Sequence, residues 1–449
     1  MIYEAESGDF QLALTGETLI SRPLSMFREE KFLELRGLLH GADLAFTHAE
    51  MLFHNYEPAP TTRPGGTYMR ADPRLIADLQ WLGIDMVSCA NNHAWDFGEN
   101  GVLVNLDNLD KYGLVHAGTG RNLAEASMAA YVETPRGRVA LISATSSGVA
   151  ASRAGEQRRD QAGRPGANFL RWTTEYIVDR EAINALRRIS ENMGNWRRWS
   201  MGSGYGEEMV DSDTVVHMFD QPQYGETAAA KYVLGETFGK RTLLNKEDLE
   251  RNLQWVSDAR RMADWVIVTV HNHEGGANAD EPSDHIRQFA RAVLDAGADV
   301  FTGHGPHQDR GIEIYNGKPI LYSLGDFMLQ NDSVLLMPHD NMRRYGLGWE
   351  ATPADFYDAR SANRTRGQAT EPIRWQSTMA VLTYQGRQLT EVELRPVDLG
   401  FSNGRTQQGR PVLATGAVAD EILSRMQTFS KPFSTPIAIQ GDKAFIRMD

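Results

Sequence analysis

Residues 85–98 read Asp-Met-Val-Ser-Cys-Ala-Asn-Asn-His-Ala-Trp-Asp-Phe-Gly. The run from Asp85 to Cys89 has strand character, Asn91-Asn92-His93 follows at once, and Gly98 opens GENGVLVNLDNLDKYG (98–113). That last stretch has apolar residues at i, i+3, i+4 spacing and ends in glycine, which predicts a helix. A strand, a polar turn and a helix together make the repeating unit of an α/β fold.

The unit recurs along the chain. Further strands are predicted at Phe10 to Thr15, Asp43 to Thr47, Val139 to Ala144, Trp265 to Val270, Asp299 to Thr302 and Pro319 to Ser323. Helical periodicity lies between them in SMFREEKFLELRGLLHGA, DPRLIADLQWLG, EDLERNLQWVSDARRMA and SDHIRQFARAVLDAGA. Each strand runs into polar residues: Gly16-Glu17, His48-Ala49-Glu50, Asn91-Asn92-His93 with Asp96, His271-Asn272-His273-Glu274, and His304-Gly305-Pro306-His307. Open α/β sheets bind ligands at the carboxyl ends of their strands, so these residues are expected to share one rim. Any one of the six histidines is more often structural than functional. Independent structural histidines, however, have no reason to gather at one topological edge. For Glu17 and Glu50 the plain alternative is a solvated loop carboxylate or a helix cap.

Composition narrows the function. The 449 residues, 41% hydrophobic and 23% charged, suffice for a large core. The formal charge of −13, with no polybasic run, argues against nucleic acid and anionic membranes as partners. A single cysteine, Cys89, excludes an intrachain disulfide framework and a thiolate zinc cluster. The polar start MIYEAESGDF and the lack of a long apolar run lead to the expectation of a cytoplasmic protein with no membrane contact. Its partner is expected to be a small molecule or a peptide substrate, and oligomeric state is left open.

One domain over 1–449 is expected, interrupted by an insertion at 146–244 that holds a surface loop, a helix from Thr174 to Met193 and a glycine-rich aromatic stretch. Residues 331–374 carry few periodic positions but mix His339, Arg343, Arg344, Tyr345, Trp349 and Arg360. A loop that long is usually functional or disordered, and a lid over the site is predicted. Residues 375–449 return to strands at Trp375 to Tyr384 and Thr390 to Arg395, a helix near Ala417 to Thr428 and a last strand near Thr435 to Arg447, completing the fold.

GETLISR, THAE, ANNHAWDFGENG, VHNHEGG, DAGADVFTGHGPH and YNGKPILYSLGDF together resemble the CapA family of poly-γ-glutamate synthesis proteins, a branch of the calcineurin-like metallophosphatase superfamily. The resemblance spans roughly Leu12 to Leu329 without the insertion. It implies a four-layer α/β/β/α sandwich with one or two divalent metals between strand ends. Carried over by position, it makes Glu50 a carboxylate ligand shared between metals, Asn92 an amide-oxygen ligand, and His271, His304 and His307 imidazole ligands. His93 becomes the acid/base group, and Asp96 orients its loop. Asn91 and His273 fall on the substrate side. Where the family pattern has Gly-Asp this chain has Gly16-Glu17, which makes Glu17 either a ligand or a proton carrier. One tight ion is therefore expected near Asn92, His271 and His307, with the second position weak. Oxygen and imidazole donors suit Mn, Fe, Zn or Mg.

Two further residues each admit two readings. Cys89 reads as an apolar filler, or else as a thiol near the metals. Arg70, in the YMRADP stretch, reads as a solvent-facing arginine or as a holder of a substrate carboxylate. The reaction implied is metal-dependent hydrolysis or transfer at a peptide-like or γ-glutamyl amide. The alternatives are peptide Cα epimerisation, which a resembling relative performs on a lasso-peptide precursor, phosphoester hydrolysis, and a non-catalytic part in polymer synthesis.

Overall fold

Along Asp9–Leu19, Leu12 and Leu14 face one core and Ala13 another. Likewise Ile267 faces the first core while Val266 and Val268 face a third. This period-two alternation, apolar on both faces, means that each strand is covered on both sides. A computed structural model describes residues 9–193, 211–222 and 227–448.

Two sheets pack face to face. The first has ten strands, and its central path runs Gln388–Asp398, Gln376–Gln385, Asp9–Leu19, Leu44–Ala49, Met86–Ser88 and Val115–Ala117. The second runs Asp309–Tyr315, Lys318–Leu324, Val300–His304, Trp265–His271, Gly137–Thr145 and Ala130–Thr134. Between them Leu12, Phe46 and Met86 meet Leu141, Ile267 and Leu321, and Phe10 stacks on Trp265 at 3.8 Å. The helices Glu30–Gly41 and Leu75–Leu82 cover the first sheet through Phe32, Leu35, Ile76 and Leu79. Lys246–Arg260 and Asp284–Asp295 cover the second through Val256, Ile286, Phe289 and Val293. The result is the α/β/β/α sandwich expected from the sequence. Burying each large apolar side chain contributes about 1.5–3 kcal/mol, so the inter-sheet layer fixes the distance between the two strand-end rims.

Residues beyond 375 extend the first sheet. Gln376–Gln385 pairs antiparallel with Asp9–Leu19, Gln388–Asp398 pairs with Gln376–Gln385, and the helix Ala417–Ser430 adds Leu423 and Met426 to the inter-sheet core. The expected last strand is two short ones, Ala438–Ile439 and Ala444–Arg447, because the chain turns at Gly441 with φ +61°.

Within 146–244 the structure differs from the predicted helix starting at Thr174. Trp172–Val178 is a strand, and the helix is Arg180–Asn192. The sequence WTTEYIV is rich in aromatic and β-branched residues, and the Asp179 side chain accepts from the Ala182 N–H, capping the helix there. The strand joins a separate sheet ordered Val215–Pro222, Thr227–Leu234, Trp172–Val178, Gly239–Leu244. Much of the glycine-rich aromatic stretch lies outside the described residues. Among the described residues, no helix is long and apolar enough to cross a membrane.

Residues 331–374 form two short helices, His339–Arg344 and Pro353–Ser361. The second starts at a capping box between Thr352 and Asp355, and Met342, Phe356 and Tyr357 make a small core of their own.

Candidate metal centre

The parallel registers align strand ends within each sheet. Glu17 sits beside His48 on one side and Asp326 on the other, and His271 pairs with His304. The two sheets thus bring side chains from five segments to one edge. Two groups of ligand atoms form there, each lying within 4.8 Å: Glu50 with His271 and His273, and Glu17 with His307 and Asp326. Glu50 stands between them. Its Oε1 lies 3.7 Å from His271 Nε2 and 3.9 Å from His93 Nε2, and its Oε2 lies 3.9 Å from His307 Nδ1. His307 Nδ1 is 2.9 Å from Asp326 Oδ1 and 3.3 Å from Glu17 Oε2.

The electrostatics of the edge are unbalanced. Burial, reinforced by the negative charges of Glu17, Asp326 and Asp96, pushes the Glu50 carboxyl well above the ordinary range. Burial would raise Glu17 too, but the facing His307 and neighbouring hydrogen bonds hold it down at about 2. Burial opposes a charge on His307, yet Asp326 and Glu17 carry it up to about 9. His271 and His273 are driven the other way, His273 to about 3, by burial and then by neighbouring imidazoles. They are therefore neutral donors at neutral pH. Glu17 Oε2, both oxygens of Glu50, Asn92 Oδ1 and Asp326 Oδ2 are buried with no hydrogen-bond partner. An unmet buried acceptor costs about 1–3 kcal/mol, and more when charged. Five such oxygens with neutral imidazoles beside them fit a divalent cation, and the proton on His307 occupies a place that a cation would take.

Surrounding residues fix the orientation of these donors. Ser88 Oγ lies 2.6 Å from His48 Nδ1, and His48 Nε2 lies 3.0 Å from His271 Nδ1, which leaves His271 Nε2 toward Glu50. The Gly305 N–H donates to Glu17 Oε1. Glu274 accepts from Ser146 Oγ at 2.7 Å and Ser147 Oγ at 3.0 Å, and Ser147 Oγ in turn accepts from the His273 N–H at 2.8 Å. His93 Nδ1 lies 2.6 Å from Asp96 Oδ2, and Asp96 also accepts the N–H groups of Gly65 and Met69 at 2.7 Å each. Asp96 thereby ties the glycine loop at 65–66 to the Asn92–His93 turn, and Asn92 Nδ2 donates to Gly65 O at 3.1 Å.

The structure brings together Glu17, Glu50, Asn92, His93, Asp96, His271, His273 and His307. It corrects the expected ligand grouping in three respects. His271 and His307 fall in different groups, so no single ion is framed by them with Asn92. His273, expected on the substrate side, stands with the ligand atoms. His304 falls in neither group: its ring stacks on His48 at 4.7 Å and lies beside Phe46, with both ring nitrogens buried and without a hydrogen-bond partner. Three other candidates stay off the centre. Asn91 Nδ2 donates to Ala49 O and Cys89 O, clamping its own turn. Cys89 packs in the core under the outer helices, where burial pushes the thiol up to about 12, so it is not a poised thiolate. Arg70 is buried, donates to His54 O and Asn55 Oδ1, and stacks over Tyr56, so neither expected reading describes it. Asp326 was missed. Its signal was visible in the sequence, because Gly325-Asp326 follows the strand Lys318–Leu324 as Gly16-Glu17 lies at the end of the first.

A cavity of about 600 Å³ opens over the centre, lined by Asn92, His93, His273 and His307 on the sandwich side. Tyr357, Arg360 and Arg364, from the 331–374 segment, line it as well. That segment lies on the His307 side of the fold and makes part of the cavity wall.

Comparison with known proteins agrees with this architecture. A family described as "Bacterial capsule synthesis protein PGA_cap" matches residues 11–331. An uncharacterized protein, y4sH of Sinorhizobium fredii, is 33% identical over 98% of this chain and 93% of its own length. The PGA biosynthesis protein CapA of Bacillus subtilis is 41% identical over a stretch covering 26% of this chain and 31% of that protein. The capsule biosynthesis protein CapA of Bacillus anthracis is 35% identical over 16% of this chain and 19% of that protein. With the sandwich, the order of the strand-end motifs and a match over more than half its length, the chain belongs to the bacterial capsule synthesis protein PGA_cap family, within the metallophosphatase-like superfamily.

Proposed function

We propose that the chain is a metal-dependent enzyme that hydrolyses or transfers at a γ-glutamyl or other peptide-like amide of a carboxylate-bearing substrate. The observation that carries the reading is the set of five buried, partnerless oxygens around Glu50, with the His93–Asp96 pair beside it at the cavity floor. Mn, Fe, Zn or Mg held by Glu50, His271 and His273, and by Glu17, His307 and Asp326, would supply Lewis-acid polarisation and neutralise a developing oxyanion. Asn92 Oδ1, buried without a hydrogen-bond partner beside the same cavity, is a further oxygen donor.

The chain's own residues handle protons and position. Asp96 holds His93 by Nδ1, so Nε2 is the atom that takes or delivers a proton on the cavity side. Glu17 serves better as a ligand than as a proton carrier, because one oxygen accepts from Gly305 and the other faces His307. That speaks against an epimerase built on His93 and Glu17 as opposed acid and base. The names of the two Bacillus relatives, one a PGA biosynthesis protein, favour an amide substrate over a phosphoester.

The test is to assay metal-stripped and metal-loaded protein on γ-glutamyl, peptide and phosphoester substrates, in water and in deuterium oxide. Metal-dependent amide cleavage or transfer is expected, reduced about 10²- to 10⁴-fold in His93→Ala with metal content retained. Deuterium incorporation without cleavage would replace the reading with an epimerase. Cleavage of phosphoesters alone, or no turnover at all, would overturn it.

A further inference from the structure

The cavity wall carries guanidiniums that no carboxylate contacts directly. Arg374 is paired with Glu371 at 2.9 Å, and Arg405 with Asp358 at 2.7 Å and Asp332 at 3.3 Å. Arg310, Arg360, Arg364 and the exposed Arg366 also line the cavity, yet none has a carboxylate within 4.0 Å among the described residues, and Asp332 acts on Arg364 only from farther away. Their hydrogen bonds go to neutral groups. Arg310 donates to Ala279 O at 3.1 Å and Asn272 Oδ1 at 3.0 Å, Arg360 to Thr67 Oγ1 at 2.5 Å, and Arg364 to Gln408 Oε1 at 3.0 Å.

Arg310 is the telling member, because it is only 1% exposed. A guanidinium taken out of water without a counter-charge is costly unless something compensates. Burial pulls its proton affinity down to about 10, while Glu274, Glu17 and Asp280 favour the charge from farther away. It therefore remains a cation at neutral pH. In a chain of net charge −13, four such guanidiniums lining one cavity, Arg366 being the most exposed of them, are not a by-product of a basic surface. They also come from distant parts of the sequence. Arg310 lies three residues after His307 in the strand Asp309–Tyr315, whereas Arg360 and Arg364 lie beyond residue 331, where the family match ends.

We propose that Arg310, Arg360 and Arg364 form an anion subsite that holds a second acidic group of the substrate, away from the reacting amide. The inference rests on the reading of the centre as an amide-processing enzyme and adds what selects its substrate. Guanidinium forks match carboxylate and phosphate oxygens alike, and the amide reading favours a carboxylate.

The test is calorimetric titration of the full chain, metal-stripped and metal-loaded, with three probes: γ-linked triglutamate, the same peptide with its carboxyls converted to carboxamides, and inorganic phosphate. Triglutamate is expected to bind the metal-stripped protein and the carboxamide to bind on the order of tenfold more weakly or worse. Arg310→Gln and Arg364→Gln should each weaken triglutamate binding on the order of tenfold without changing the carboxamide. Arg364 is half-buried and among the described residues its guanidinium hydrogen-bonds to Gln408 alone, so its variant keeps the test open should Arg310→Gln fail to fold. Equal binding of triglutamate and carboxamide, or wild-type binding by the Arg364 variant, would overturn the subsite. Phosphate binding through these arginines without triglutamate binding would overturn the carboxylate assignment. Should no amide be turned over while triglutamate still binds through the arginines, the proposed reaction fails and the subsite stands. Turnover with unchanged KM in the variants gives the reverse.

Discussion

His285 shows how far from the centre its geometry is set. It lies behind Glu274 at 3.9 Å, stacks on Trp172 at 4.7 Å and places Nδ1 2.9 Å from Thr242 Oγ1. Glu274 in turn holds the two serines behind His273. Burial, then the charges of Arg310 and Lys240, lowers His285 to about 3. An unfolded histidine takes up its proton near pH 6.5, so between about pH 6.5 and 3 the unfolded state binds more protons than the folded one. The resulting stability is fully present above pH 6.5 and is lost on acidification, by about 1.4 kcal/mol per pH unit in that window. Denaturant melts of wild type and His285→Gln across pH 7 to 4 should show the wild type losing stability more steeply by that amount. Parallel curves would show that His285 is not held neutral. At this scale the sequence was legible for most residues at or just past the end of a strand. Glu50, Asn92, His93, Asp96, His271 and His307 all reach the edge. It was not legible for His304: like its register partner His271 it is the last residue of its strand, yet its ring stacks on His48 and lies beside Phe46, a packing that spacing does not reveal. Nor could spacing tell that His273 would turn toward His271, at 3.0 Å between their Nε2 atoms.

The loop 304–307 is the element on which the second ligand group depends. Gly305 has φ +116°, and a Cβ there would lie 2.2 Å from Asn272 O, while His307 itself holds φ +52°. The Gly305 N–H also positions Glu17. Gly305→Ala is therefore expected to destabilise the protein by about 1–3 kcal/mol and to remove the ion held by Glu17, His307 and Asp326. Gly404→Ala is the matched control, since nothing lies within 4 Å of the added Cβ. A thermal melt with metal analysis checks both, and an unchanged Gly305→Ala would mean that the loop tolerates another path. Most strands and helices were legible from periodicity because apolar faces on both sides of each strand leave a strong pattern. The Trp172–Val178 strand was not. Its residues also satisfy a helical spacing, and only the Asp179 cap divides strand from helix. The two short helices at 339–361 were hidden for a related reason: a core as small as Met342, Phe356 and Tyr357 leaves no repeating stripe.

At the scale of the whole molecule, neither sheet makes the centre alone. Glu17, Glu50 and Asp326 come from the first sheet and the turns at its strand ends, whereas His271, His273 and His307 come from the second. The inter-sheet core holds the two rims together, and Glu50 is the only one of the six whose oxygens face both ligand groups. The central claim is that these are two cation positions sharing one carboxylate. It is tested most directly by counting ions per chain by elemental analysis in wild type, Asp326→Asn, His273→Ala and Glu50→Gln, each confirmed folded by its thermal melt. Two ions per chain are expected in wild type, about one in each of Asp326→Asn and His273→Ala, and none held tightly in Glu50→Gln. A wild type that binds no divalent ion, or a Glu50→Gln variant that keeps two, would contradict it.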